Sequence, residues 1–377
     1  MEPRDLSAHT EYVPGRGVEE VARELGMDPE ELVKLASNEN PLGPSPEAIE
    51  AVREHASRVH SYPKTSHADL VDALAGKWDL ESEQVWLAPG GDGALDYLSR
   101  ATLDPEDCVL VPTPGFAYYG MSARFHHGEV DEHELPREGE QFSYGADAVL
   151  SAYEGQRIVY VTSPHNPTGA EMTLDGIELV AEETAESTLV VVDEAYGEFS
   201  ARESAVELVR QRDDVAVLRT FSKAYGLAGL RLGYALVPEA WADAYARVNT
   251  PFAANELGCR AGLAALDDDE HVEQSVHVAN WAREYMQDAV VAPVHDSGGN
   301  FVLVEVGDAD LDAIAAESEI NVEEGRPATA VCDALERRGV IVRDCTSFGL
   351  PECIRITCGT ENETRRAVRE LNEVLQA

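Results

Sequence analysis

Short, continuous apolar runs alternate with helical segments between about residues 68 and 262, and this alternation restricts the possible folds more than any other feature. The runs are rich in β-branched residues, as strands buried on both faces of a sheet are. They are Val85–Leu87, Cys108–Val111, Ile158–Val161, Leu189–Val192, Val215–Leu218 and Gly233–Val237. Because helical segments separate the runs, the pattern predicts an α/β fold with a mainly parallel sheet covered by helices.

The segments on either side of this region have a different character. Residues 1–45 are predicted to form an irregular arm with a short acidic helix, Val18–Leu25, before Ser45-Pro46-Glu47 begins a capped helix. An acidic linker, Leu266–His271, is followed by a smaller α+β unit. Its predicted elements are the helix Val272–Gln287, the strands Asn300–Val306, Ile341–Val342 and Ile354–Cys358, and the helix Glu363–Leu375. The predicted domains are an N-terminal arm that joins the small domain, a large domain and a small C-terminal domain, at residues 1–45, 46–265 and 266–377.

The charge balance is extreme. The chain has 29 Lys and Arg against 71 Asp and Glu, which gives a net charge of −42. Acidic residues are spread along the whole chain, and such a surface is typical of a protein from a salt-saturated cytoplasm, where salt screens the repulsion between carboxylates. No basic stripe is present to bind nucleic acid.

The cysteines and the lack of targeting segments predict a cytoplasmic protein. The six cysteines form no C-x-x-C pair and have no histidines at zinc spacing, so no metal site is expected. They are expected to be reduced and mostly buried, as in a cytoplasmic protein. We expect no signal peptide at the N-terminus and no segment that spans a membrane.

Lysine is nearly absent, since Lys34, Lys64, Lys77 and Lys223 are the only ones. Lys223 follows Ser222 in a run of small and apolar residues, and Arg231 lies eight positions after it. Arginine stays protonated and can neither form a Schiff base nor transfer a proton, so a lysine here indicates a reactive amine. The alternative is a solvated surface lysine, which the small, apolar neighbours disfavour.

Three other motifs follow predicted strands, at the edge where open α/β sheets bind their ligands. Gly90–Gly93 lead into a helix predicted at Leu95–Ala101 and suit a phosphate, although such a turn is as often only a turn. Asn166 lies between two prolines, which indicates a fixed side chain or only a rigid turn. Asp193 ends an apolar strand and either caps a helix or pairs with a buried cation. A phosphate site, a buried carboxylate and one reactive lysine together meet the requirements of pyridoxal 5′-phosphate.

Five motifs carry a resemblance to a known family across nearly the whole chain. They are Leu35–Pro44, Ser163–Gly169, Asp193–Tyr196, Arg219–Arg231 and Arg355–Thr360. The chain resembles the class I and II aminotransferases, which are fold-type I pyridoxal-phosphate enzymes, and within them the histidinol-phosphate aminotransferase family. The resemblance implies a mainly parallel, seven-stranded-type sheet sandwiched by helices, with a smaller α+β domain and an N-terminal arm. It also implies a ping-pong reaction of histidine biosynthesis, in which glutamate and imidazole-acetol phosphate give 2-oxoglutarate and histidinol phosphate.

The resemblance implies roles for the residues that bind the cofactor. Lys223 would bind pyridoxal phosphate covalently and move the proton, Asp193 would pair with the pyridinium nitrogen, and Asn166 and Tyr196 would hydrogen-bond the phenolic oxygen. The cofactor phosphate would be held by Ser222, Arg231, Gly91, Asp92 and Gly93. Gly93 stands where many relatives have an acidic residue, so a different phosphate loop is expected. Tyr62 matches a tyrosine that reaches the neighbouring subunit's cofactor, which implies a homodimer with shared sites.

The aromatic and substrate-binding residues align less cleanly. Phe116 is favoured over Tyr118 and Tyr119 as the ring that stacks on the cofactor. By the resemblance, Arg355 would bind the α-carboxylate of glutamate. The predicted substrate-binding residues are Arg355, Arg343, Tyr12 and Asn40, with a surface ion pair as the alternative for Arg343.

Related activities stay open at this point. A threonine-phosphate decarboxylase, or an aromatic or aspartate aminotransferase, would have a similar fold and motifs. A non-catalytic regulator that binds pyridoxal phosphate is a more remote alternative, because such proteins usually carry a DNA-binding module before this fold. Only about 45 residues precede the large domain here, and this segment is acidic overall.

Overall fold

The structure is a computed structural model that describes residues 6, 7, 9, 11–139, 141–318, 323 and 325–376. The first five residues, on which the expectation of no signal peptide rests, lie outside the described residues. The strands are β1 (Val33–Leu35), β2 (Val85–Ala88), β3 (Cys108–Thr113), β4 (Glu129–Glu134), β5 (Arg137–Glu138), β6 (Gln141–Phe142), β7 (Ile158–Thr162), β8 (Leu189–Asp193), β9 (Val215–Thr220), β10 (Gly233–Leu236), β11 (Phe301–Glu305), β12 (Val340–Asp344) and β13 (Cys353–Thr357). The helices are α1 (Val18–Leu25), α2 (Pro46–His55), α3 (Ala68–Trp78), α4 (Gly90–Thr102), α5 (Tyr118–Phe125), α6 (Ala146–Leu150), α7 (Leu174–Glu183), α8 (Val206–Val209), α9 (Tyr245–Val248), α10 (Glu256–Leu266), α11 (Asp269–Ala289), α12 (Leu311–Ser318), α13 (Pro327–Arg337) and α14 (Glu361–Leu375).

The large sheet has seven strands in the order β2-β10-β9-β8-β7-β3-β4. All neighbours are parallel except β10, which is antiparallel to both β2 and β9. All six apolar runs form strands of this sheet, so the predicted α/β fold is confirmed. The sequence did not predict β4, because this edge strand buries only His133 and reads Glu-Val-Asp-Glu-His-Glu. Polar and charged residues are common on edge strands, which keep one side in water.

Helices cover both faces of the large sheet, which explains why its strands are continuously apolar. In β8, Val190 and Val192 join the core on one face, whereas Leu189 and Val191 join the core on the other. Side chains alternate between the faces of a strand, so a strand covered on both sides needs apolar residues at every position.

A second sheet has four strands in the order β1-β12-β13-β11 and packs against α11, α13 and α14. The prediction that residues 1–45 form an irregular arm with one helix is only partly correct, because the arm also contains β1, which pairs in parallel with β12. The predicted acidic linker is wrong. The helix α10 ends at Leu266, α11 begins at Asp269, and Asp268 accepts a hydrogen bond from the N–H of His271 as the cap of α11. Acidic residues favour a helix N-terminus, so this acidic run starts a helix.

The division into domains at residues 45 and 265 stays a prediction. The contacts that bear on it are those of α10, which packs on α2 and α3, and those of α11, which packs on α14. None of the helices in the described part of the chain is long and apolar enough to cross a membrane.

Candidate active site

A cavity of about 300 Å³ lies where the carboxyl ends of the large sheet's strands face the second sheet. Asp193 ends β8, and Lys223 follows β9 by three residues. Arg343 and Arg355 enter the cavity from β12 and β13, and Tyr12 comes from the N-terminal segment. The fold therefore brings together residues that are far apart in the sequence.

The Lys223 amine lies inside this cavity. Its Nζ is 3.3 Å from the backbone carbonyl oxygen of Ser37 and 5.5 Å from the centre of the Tyr196 ring. Burial lowers the pKa of Lys223 to about 8, and the nearby positive charge of Arg355 acts in the same direction. A sizeable fraction of the amine is therefore neutral near pH 8, as a nucleophile requires.

The Asp193 carboxylate is buried and accepts hydrogen bonds from two neutral donors. Oδ1 accepts from the backbone N–H of Ala195 at 2.9 Å, and Oδ2 accepts from the hydroxyl of Tyr119 at 2.6 Å. Burial raises the pKa of Asp193 to about 6, although both hydrogen bonds act against that rise. At neutral pH the carboxylate is ionised, and a protonated ring nitrogen in the cavity would form a favourable pair with it.

Tyr119 is a site residue that the sequence analysis passed over in favour of Phe116. Its hydroxyl also lies 2.8 Å from Thr162 Oγ1, and its ring stacks on Tyr160 at 4.7 Å. Phe116 and Tyr119 both line the cavity, with their ring centres 5.6 Å apart. Phe116 lies two residues before α5, and the backbone N–H of Tyr119 donates to its carbonyl oxygen at 3.3 Å, so the turn that leads into the helix brings the two rings together.

The start of α4 contributes to the lining of the cavity. The helix begins at Gly90, earlier than the predicted Leu95, and Gly91 and Asp92 line the cavity with Ser222 and Arg231. The guanidinium of Arg231 donates to Asp92 Oδ2 at 3.1 Å, and the hydroxyl of Ser222 accepts from Thr220 Oγ1 at 3.0 Å. Backbone N–H groups at a helix N-terminus beside an arginine can bind a phosphate.

Two glycines of this loop are required, Gly90 mainly because its φ is +83° and Gly93 because of close packing. A Cβ at Gly90 would lie 2.5 Å from a guanidinium nitrogen of Arg231. A Cβ at Gly93 would lie 2.5 Å from Cδ of Pro89. The proline ring therefore excludes an acidic side chain at position 93, which gives the physical reason for the glycine at this position.

Arg355 and Asn166 contact each other across the cavity. Arg355 donates to Asn166 Oδ1 from Nη1 and to the backbone carbonyl of Ala36 from Nη2, the latter at 2.9 Å. Burial lowers the pKa of Arg355 from its usual range. The Tyr196 hydroxyl accepts a hydrogen bond at 2.9 Å from Nδ2 of Asn38, a second site residue that the sequence analysis did not single out.

Arg343 is buried, and its Nη2 donates to the backbone carbonyl of Val13 at 2.8 Å and to Ser347 Oγ at 3.0 Å. These partners are neutral, unlike those of the surface ion pair that was the alternative. Through Val13, Arg343 holds the segment that carries Tyr12 against the cavity.

The structure places three predicted site residues away from the cavity lining. Asn40 donates from Nδ2 to the backbone carbonyl of Ala224 and to Ser275 Oγ, both at 2.8 Å. Gly93 lies in α4 between the lining residues Asp92 and Leu95 but does not itself line the cavity. Tyr62 is 83% exposed and stacks on Phe252 at 4.9 Å.

Comparison with known proteins places this site in a family. Residues 30–371 match the family described as aminotransferase class I and II. The histidinol-phosphate aminotransferase of Haloarcula marismortui is 65% identical over 376 residues, covering 100% of this chain and 99% of that protein. The one from Halorubrum lacusprofundi is 63% identical, covering 100% of this chain and 98% of that protein.

Solved structures agree with these sequence matches. The histidinol-phosphate aminotransferase of Sinorhizobium meliloti in complex with pyridoxal-5′-phosphate has a TM-score of 0.84 and 25% identity, and the alignment covers 99% of each chain. An aspartate aminotransferase variant of Thermus thermophilus has a TM-score of 0.80 and 25% identity, with 100% of each chain covered.

Proposed function

Because the chain belongs to the class I and II aminotransferases, we propose that it uses pyridoxal phosphate to transfer an amine from glutamate to imidazole-acetol phosphate. The products are 2-oxoglutarate and histidinol phosphate, so the reaction serves histidine biosynthesis. The observation that carries the proposal is that one cavity contains a lysine of lowered pKa, an ionised carboxylate and a helix N-terminus beside an arginine.

The residues of the cavity fit pyridoxal phosphate. The cavity volume of about 300 Å³ lies at the lower end of the usual range for small-molecule sites. Lys223 supplies the amine that the cofactor aldehyde requires, and Asp193 supplies an anion for the pyridinium nitrogen. Gly91, Asp92 and Arg231 suit the phosphate, because an anion in so acidic a protein needs local donors.

When bound, pyridoxal phosphate supplies an electron sink that makes the α-proton of the substrate acidic. Lys223 is suited to take up and return that proton, since its pKa of about 8 lies near neutral pH. Asp193 is buried and ionised above about pH 6, so it favours a protonated ring nitrogen beside it. Tyr196 and Asn166 present polar atoms to the same cavity and are proposed to bind the phenolic oxygen.

Two guanidinium groups that the second sheet brings into the cavity suit two anionic substrates. Arg355 is buried and can bind the α-carboxylate of glutamate with its planar fork. The phosphate of imidazole-acetol phosphate is also an anion and also requires cationic partners. Arg343, Arg355 and Tyr12 line the region that would receive it. We propose that both substrates share these arginines in alternate halves of the reaction.

A homodimer with shared sites is part of the proposal. Tyr62 is exposed beside Phe252, and an aromatic pair on a surface is typical of an interface. We propose that Tyr62 of one subunit reaches the cofactor phosphate of the other.

The test is an absorbance scan of the protein, loaded with pyridoxal phosphate in concentrated KCl, before and after histidinol phosphate is added. The yellow band should collapse and should return when 2-oxoglutarate is added, with release of glutamate. Lys223→Ala should lower turnover at least about 100-fold, whereas Lys34→Ala, a change in a lysine on β1 that pairs with Glu39, should keep it.

Other results would redirect or refute the proposal. A yellow band that ignores histidinol phosphate, with turnover of aspartate or aromatic amino acids, would move the substrate to those aminotransferases. Release of CO2 would favour the decarboxylase. A protein that binds no pyridoxal phosphate, or full turnover by Lys223→Ala, would refute the proposal.

A further inference from the structure

Asn38 has an unusual backbone conformation at the centre of the site. It is 1% exposed and has a φ of +54°, in the left-handed region that asparagine tolerates better than most residues. It lies between the loop after β8, which carries Tyr196, and β13, which carries Thr357. Strained residues that are held by their surroundings are common at functional sites, so the contacts of Asn38 are informative.

The hydrogen bonds between Asn38 and Thr357 define the orientation of the Asn38 amide. The backbone N–H of Asn38 donates to Thr357 Oγ1 at 2.9 Å, so this hydroxyl oxygen acts as an acceptor. The hydroxyl proton of Thr357 then donates to Asn38 Oδ1 at 3.2 Å. The amide oxygen therefore faces Thr357, and the amide nitrogen faces the other way. The backbone carbonyl of Asn38 accepts from Asn300 Nδ2 at 3.0 Å, which holds the segment in place.

The orientation of the amide decides the role of the Tyr196 hydroxyl. An amide nitrogen can only donate, so the Tyr196 oxygen accepts from Asn38 Nδ2 at 2.9 Å. Tyrosine has one hydroxyl proton, and this contact leaves it free for another acceptor. The Tyr196 ring packs edge-on against Phe301 at 5.1 Å and lines the cavity that contains Lys223.

We propose that Asn38, oriented by Thr357, is a positioning residue that makes the Tyr196 hydroxyl a hydrogen-bond donor into the cavity. The acceptor is an anionic oxygen of the bound group, of the phenolate type, so this inference rests on the proposed function. A donor to a phenolate stabilises its ionised form and lowers its proton affinity. Each polar group of Asn38 has a hydrogen-bond partner within the protein, so we assign it a positioning role through Tyr196.

The first test is neutron diffraction from cofactor-free crystals in deuterated buffer, which locates hydroxyl and amide deuterium atoms. We expect a deuterium on Asn38 Nδ2 directed at Tyr196, and the Tyr196 deuterium directed into the cavity. A flipped amide, with the Tyr196 deuterium directed at Asn38, would overturn the proposal. This measurement needs neither cofactor nor substrate, so it is independent of the proposed function.

The second test is a pH titration of the absorption band of the pyridoxal-phosphate-loaded protein. Thr357→Val removes the hydroxyl that orients the amide, whereas Thr357→Ser keeps it. Asn38→Asp tolerates the backbone conformation and replaces the amide donor with a carboxylate that accepts the Tyr196 proton.

We expect the titration midpoint to rise by about one pH unit, a tenfold change in proton affinity, in Thr357→Val and Asn38→Asp. Thr357→Ser should titrate like the unmodified protein. Equal midpoints for the valine and serine variants would overturn the proposal, because the midpoint would then not depend on the hydroxyl that orients the Asn38 amide. If the unmodified protein takes up no pyridoxal phosphate, the proposed function fails while the neutron result stands.

Discussion

Replacing Arg219 with methionine is expected to destabilise the protein by about 4 kcal/mol. Arg219 lies on β9, four residues before Lys223, and its guanidinium is 2.9 Å from Glu194 Oε2 and 2.8 Å from Glu198 Oε1. The three side chains are only 5%, 6% and 10% exposed. Glu194 and Glu198 flank Tyr196 in sequence, so this ion triad ties the loop of Asp193 and Tyr196 to the strand before Lys223.

The magnitude follows from the burial of three charges together. At 2.8 Å and an effective dielectric constant of about 20, one ion pair contributes about 6 kcal/mol of Coulomb energy, and desolvation offsets most of it. Burial lowers the pKa of Arg219, but Glu198 and Glu194 raise it more, so the guanidinium stays charged. Removing it leaves two buried carboxylates without a cation, which typically costs 3–5 kcal/mol, about 4 here. Methionine keeps much of the apolar stem, so the cost reports mainly the charge.

The assay is urea unfolding in concentrated KCl, followed by tryptophan fluorescence, with Arg53→Met as the matched control. Arg53 pairs with Glu50 at 3.8 Å on the surface, and its replacement should change the free energy of unfolding by no more than about 0.5 kcal/mol.

A second substitution tests the physical cause. Adding Glu198→Gln to Arg219→Met should recover part of the lost stability, because it removes one uncompensated charge. In the unmodified protein the same glutamine should be destabilising. The reasoning is refuted if Arg219→Met costs less than about 1 kcal/mol, or if Glu198→Gln is destabilising in both backgrounds.

Three further predictions concern packing, pH and salt. Gly93→Ala should lower the free energy of unfolding by about 1–3 kcal/mol, because its Cβ would lie 2.5 Å from Pro89 Cδ. Thermal unfolding measures this loss, and adding Pro89→Ala should recover part of it. Burial lowers the pKa of His133 to about 4 and of His165 to about 3, so between pH 6.5 and 4 protons bind these histidines mainly in the unfolded state. Their contribution to stability is present above pH 6.5 and should fall with decreasing pH by up to about 2.7 kcal/mol per pH unit. The raised pKa of Asp193 opposes this fall below about pH 6. Urea titrations should show that the free energy of unfolding differs less between pH 7.5 and pH 5 in His133→Phe than in the unmodified protein. With a net charge of −42, dilution of KCl should lower the melting temperature, and an unchanged melting curve in dilute buffer would contradict the predicted salt adaptation.

Strands covered on both faces were the most predictable elements. Ile158–Val161, Leu189–Val192 and Val215–Leu218 lie within β7, β8 and β9, because burial on two sides requires an unbroken apolar run. The strand β1 was missed, since three residues of an otherwise irregular arm carry no such pattern. The extreme acidity indicated adaptation to high salt, and relatives at 65% and 63% identity come from Haloarcula and Halorubrum.

The sequence by itself determined the α/β fold and the chemical groups at its strand ends, since Lys223, Asp193 and Arg231 follow from local composition and strand position. Only the tertiary structure decided how these groups are held. Asn38 is 158 residues from Tyr196 and 319 from Thr357, and Arg355 is 189 from Asn166. Hydrogen bonds between such distant segments depend on atomic distances and donor directions, which leave no periodic pattern in a single chain. Apolar burial, in contrast, acts on every residue of an element and is therefore written into its local sequence.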